Sequence, residues 1–106
     1  MMQQIDFDSL ENYYRRLVIE HLISEYGESS LAQMPGALED VACLALNQLP
    51  PRYVRHSIDT AFYLSMEERQ EMARLVKESV EQAAKYVLEH QRDPLTSELP
   101  MASLPQ

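Results

Sequence analysis

The side chains best suited to chemistry crowd into one short stretch, RYVRHSIDTAFY, which holds Arg52, Tyr53, Arg55, His56, Asp59 and Tyr63. A guanidinium makes paired contacts to phosphate or to the O6 and N7 edge of guanine, and it stacks on aromatic planes. A carboxylate such as Asp59 can accept from the N1 and N2 donors of guanine. Tyr53 and Tyr63 offer faces on which a base can stack. On one or two helical turns, arginines three apart face the same way. Such a set suits a guanine nucleotide carrying phosphates. The plain alternative is that Arg52 and Arg55 bridge to acidic neighbours on other helices, where each contact is worth little.

Other groups are less promising. His21, His56 and His90 each lie near acidic residues, but no two are spaced i, i+3 or i+4 on one helix, so no metal site is expected. His90 near a helix C-terminus is explained by the helix dipole. No nucleophile elbow, glycine-rich phosphate loop or H-E-x-x-H pattern is present, and no enzyme is expected. Cys43 lies one residue off an apolar stripe and reads as a small buried side chain. Tyr13 and Tyr14 read as core residues.

Composition narrows the field further. With 106 residues, the chain is sized for one domain, and only two glycines argue against a turn-rich β fold. A single cysteine excludes an internal disulfide. No apolar run is long enough to span a bilayer, and the opening MMQQIDFDSL lacks the basic and apolar regions of a signal peptide, so the expected location is the cytoplasm. The net charge of −8 argues against nonspecific binding to nucleic acid or to an anionic membrane. That charge is uneven. Residues 41–66 carry two arginines against Asp59 alone, whereas residues 1–40 carry two arginines against eight acids.

The elements that must position the cationic stretch follow from periodicity. DSLENYYRRLVIEHLISEY places Leu10, Tyr13, Tyr14, Leu17, Val18, Leu22 and Tyr26 on one helical face, with Asp8 or Ser9 as cap and Gly27 as terminator. ESSLAQMPG reads as a loop. ALEDVACLALNQL is a second helix, apolar most of the way round and therefore central. Pro50 and Pro51 must end it, since proline lacks an N–H and restricts the residue before it. PRYVRHSIDTAFYL is a short helical or extended connector, with one or two helical turns around Val54 to Ile58 favoured. From Ser65 onward, a Ser-x-x-Glu capping pattern starts the longest helix. The expectation is an all-α bundle of three main helices forming one domain over residues 1–92, followed by a disordered tail over 93–106. Small bundles with a broad apolar second helix often pair, so a homodimer is expected.

ENYYRRLV together with DVACLALNQLPPRYVRHSIDTAFYL resembles the late competence development protein ComFB family, over roughly residues 10–90. ALNQLPPRYV is the most specific part of the match. The resemblance implies a small helical, dimeric, cytoplasmic bacterial protein linked to cyclic di-GMP, a second messenger of motility, surface attachment and competence. With that ligand, Arg52 and Arg55 are the expected phosphate and guanine contacts, Asp59 the base-edge acceptor, and Tyr53 and Tyr63 the stacking faces. His56 completes the set. These roles come from side-chain chemistry, and a downstream effector protein is also implied. Some family members hold zinc in a cysteine cluster before the second helix. LAQMPGALEDV at that place has no cysteine, so zinc is not expected here. A helical adaptor that binds proteins without a nucleotide is the competing expectation.

Overall fold

Asn12 decides where the first long helix begins. In a computed structural model, which describes residues 4–90, its side chain accepts from the N–H of Tyr14 and caps α1, Tyr13–Tyr26. Helix α2 spans Ala37–Gln48 and follows Gly36, whose positive φ of 77° is cheap only for glycine. Helix α3 spans Ser57–Tyr63 and α4 spans Met66–His90. The capping pattern at α4 is realised, with the Glu68 N–H donating to Ser65 Oγ at 3.0 Å.

The chain is mostly helical, as expected, but it also holds a small sheet that the periodicity does not announce. Leu10–Asn12 (β1) and Tyr53–Arg55 (β2) pair as a two-stranded antiparallel sheet, with Leu10 opposite Arg55, Glu11 opposite Val54 and Asn12 opposite Tyr53. The helix expected to be capped by Asp8 or Ser9 is instead capped by Asn12, three to four residues later. The turns expected around Val54 to Ile58 are instead a strand followed by α3. Pro51 holds the preceding residue extended, and Tyr53 and Val54 favour the pleated backbone, so the chain leaves α2 as a strand. The loop after α1 contains a single 3₁₀ turn, Ser30–Gln33, which buries Leu31.

Helix α2 is central, as its apolar girth implies, and packs against both α1 and α4. The core joins Tyr13, Tyr14, Val18 and Leu22 of α1 to Val41, Leu44 and Ala45 of α2 and to Met72, Val76, Val80 and Val87 of α4. Leu10, assigned by periodicity to the buried face of the first helix, is half exposed because it lies in β1. Cys43 is exposed rather than buried, and it lines a surface groove between α1 and α2 instead of joining the core. The expected tail, 93–106, lies outside the described residues.

Candidate functional site

The two prolines turn the chain out of α2, and the sheet catches it. Leu49, the residue that caps the C-terminus of α2, is buried and extended, and Pro50 and Pro51 follow it. At Arg52 the backbone N–H donates to Asn12 Oδ1 at 3.0 Å, and the carbonyl accepts from the Tyr13 N–H at 2.7 Å. The cationic stretch is thus bolted to the start of α1 by its main chain.

Extended geometry changes which side chains share a face. Tyr53 and Arg55 point to one side of β2 while half-buried Val54 points to the other. Arg52 and Arg55 are three apart in an extended segment, so they lie on opposite sides rather than together. Arg52 instead reaches towards α4, where its Nη2 lies 3.7 Å from Glu68 Oε2. Both partners are about half exposed, so the ion pair competes with water and holds Arg52 only loosely. Among the described residues Arg55 makes no ion pair.

His56 sits between strand and helix with φ 59° and ψ 80°, the left-handed region that costs a side-chain-bearing residue energy. The conformation is held from both sides. The His56 N–H donates to the Ser9 carbonyl at 3.3 Å, and its own carbonyl accepts from Asp59 and Thr60 at 3.0 and 3.3 Å. This sharp corner swings α3 away from the sheet. Asp59 lies exposed in the first turn of α3, and Tyr63 at its end is 86% exposed.

Two arginines missed by the sequence reading complete the surroundings. Arg16 of α1 donates from Nη1 to Ser57 Oγ at 3.4 Å, and Arg69 of α4 donates from Nη2 to the Ala61 carbonyl. Arginines from α1 and from α4 therefore reach the short α3, which follows directly on the β2 segment. Arg16 was hidden in the helical pattern of YYRRLV, and Arg69 among the charges of the α4 surface. Phe62, also overlooked, is 79% exposed beside Tyr63.

The histidines are dispersed. His21 on α1 stands near Tyr26, and the His90 ring stacks on Tyr86 at 4.1 Å near the end of α4. Among the described residues no group of three His, Cys, Asp or Glu side chains is placed to hold a metal. No helix among them is long and apolar enough to cross a membrane.

Fold and site together define a small helical protein in which a two-stranded ribbon pins an arginine-rich segment to the bundle. The family model for late competence development protein ComFB matches residues 11–91, and the chain belongs to that family. The match takes in all of β1 but its first residue, together with β2 and all four helices. No curated protein and no solved structure matches the chain.

Proposed function

We propose that this chain is a non-catalytic receptor for cyclic di-GMP, acting in the cytoplasm through a change in a dimer or effector-protein surface. One observation carries the reading. Arg16 of α1 and Arg69 of α4 reach α3, and Arg52 and Arg55 lie in the segment that runs into it, with Tyr53, Phe62 and Tyr63 exposed on that segment and on α3. A cyclic dinucleotide has two phosphates and two guanine bases, so it needs several guanidiniums and stacking faces at once. Asp59 is the carboxylate available to a guanine donor edge. On a chain of net charge −8, so local a concentration of cations suits a small polyanion better than a long one.

Arg52 and Arg55 on opposite sides of the extended segment fit this ligand through different phosphates or bases rather than through one shared group. Arg52 exchanges its weak contact with Glu68 for a phosphate. Calorimetric titration with cyclic di-GMP, with GTP and cyclic di-AMP as controls, tests the reading. Saturable binding of cyclic di-GMP alone supports it, and absence of both heat and thermal shift removes it.

A second reading rests on α3 itself. Ile58 and Phe62, one turn apart, are 64% and 79% exposed, and no residue of this helix is buried. Such a face suits a nucleotide-independent adaptor that docks a protein through α3. Partner binding that is indifferent to nucleotide and abolished by Phe62→Ala favours that reading over the first.

A further inference from the structure

We propose that the cavity between α1 and α4 is a binding site for a small straight-chain carboxylate. The cavity holds about 210 Å³, below the roughly 300 Å³ at which sites for drug-sized ligands begin. Its floor is apolar, with buried Met72 and Val76 of α4 and the buried ring of Tyr13 of α1. Leu17 and Leu64 form half-buried walls. Arg69 and Ala73 also line it and are exposed, which places its mouth beside them.

Charge and length select the ligand. The chain carries 17 acids against nine lysines and arginines, yet the cavity lining holds Arg69, His21 and no acid. Among the described residues Arg69 makes no ion pair. Its Nη2 donates to the Ala61 carbonyl, which leaves the other N–H groups of the guanidinium for a ligand. A single guanidinium balances one negative charge, and the two oxygens of a carboxylate fit its paired N–H groups. Tyr14 feels the charge of Glu71 and Tyr26 that of Glu81, so α1 and α4 run in the same direction. Arg69 therefore lies at the Tyr13 end of the cavity and His21 at the Val76 end. From Tyr13 to His21 the step along α1 is about 12 Å. An extended hydrocarbon advances about 1.25 Å per carbon, from C–C bonds of about 1.5 Å, so an acid of about eight carbons spans most of it. The carboxylate meets Arg69, the chain lies along Leu17, Met72 and Val76, and its end stops at the His21 ring.

Of the residues assigned to the nucleotide, only Arg69 lines this cavity. The inference does not depend on nucleotide binding, and either proposal can fail alone.

Calorimetric titration of the full chain with octanoate, without nucleotide, is the test, with butanoate, hexanoate and octylamine as comparisons. Octanoate should bind saturably and raise the melting temperature. Affinity should rise by about fourfold for each methylene added from butanoate to octanoate, the gain from burying one CH₂. Octylamine, with the same chain and the opposite charge, should not bind. Arg69→Gln should weaken octanoate binding by about tenfold or more, through loss of a charge-assisted bond. Ala73→Phe, at an exposed position that spares the core, narrows the mouth and should also weaken binding by about tenfold, with helical circular dichroism unchanged. Absence of heat and thermal shift with octanoate up to about 10 mM, beyond which association is too weak to be specific, overturns the proposal. So does octylamine binding as tightly as octanoate, or an octanoate affinity indifferent to both substitutions.

Discussion

Asn12 Oδ1 accepts from two backbone N–H groups, that of Tyr14 at 3.2 Å and that of Arg52 at 3.0 Å, so one atom both caps α1 and holds the chain leaving α2. The contact spans forty positions of sequence and joins the helix start to the arginine-bearing segment. Replacing this residue tests the join. Asn12→Ala should cost about 2 kcal/mol, roughly half from the lost cap and half from the second bond. For a domain of this size, each kcal/mol lowers Tm by about 4–8 °C. Asn12→Asp keeps the acceptor and should stay near the parent. If both variants melt alike, the two bonds do not matter in solution.

The arginines should separate binding from stability. Arg52→Ala and Arg55→Ala should each reduce cyclic di-GMP affinity by about 1.5–3 kcal/mol if each makes a charge-assisted bond. Neither should shift Tm much, since the exposed contact of Arg52 with Glu68 is worth under about 1 kcal/mol. Arg16→Ala and Arg69→Ala should follow the same pattern if the wider ring of cations is the site. Titration of the four single variants decides it. Unchanged affinity in both Arg52→Ala and Arg55→Ala would falsify the site assignment.

How far the sequence alone reaches is visible in these residues. The apolar faces of α1, α2 and α4 were legible because each repeats over several turns, and the two prolines fixed the end of α2 to within two residues. The ribbon was not. Each strand is three residues long, too short for alternation to register, and its partner lies more than forty positions away. Missing it misplaced the cap from Asn12 to Asp8 or Ser9 and put Arg52 and Arg55 on one face. Tyr53, Arg55, Asp59 and Tyr63 were picked for their chemistry, and all four lie exposed on or beside the ribbon and α3. Arg16 and Arg69 could not be picked that way, because only the tertiary fold carries α1 and α4 to Ser57 and Ala61.

His56 offers a test of backbone strain. Its left-handed conformation is tolerated by histidine, free for glycine and poor for a β-branched side chain. His56→Gly removes the strain but loosens the unfolded chain, so its net effect should be within about 1 kcal/mol of zero. His56→Val should cost about 1–2 kcal/mol. Thermal melts should therefore rank glycine and histidine together, well above valine. A valine variant as stable as the parent would mean that the sharp corner before α3 is not maintained in solution.

Alkaline stability should report on Tyr14, whose buried phenol links the core to the cationic segment. Burial raises its pKa above the ordinary 10.0, the nearby Arg52 guanidinium pulls it back, and Glu71 raises it again. Below pH 10 both folded and unfolded chains keep the proton, and the full stability is present. Above pH 10 the unfolded chain releases its proton first, so stability falls as pH rises until the folded-state pKa is passed. Burial also raises Tyr26, with Glu81 and Glu25 adding to it, so part of the alkaline loss belongs there. Tyr14→Phe keeps the packing and should make the alkaline limb of a denaturation series shallower. Arg52→Ala removes the one neighbour that favours the phenolate, so phenolate absorbance should show Tyr14 titrating at higher pH still. An Arg52→Ala titration that overlays the parent would separate Arg52 from Tyr14, and with it the electrostatic link between the core and the proposed nucleotide site.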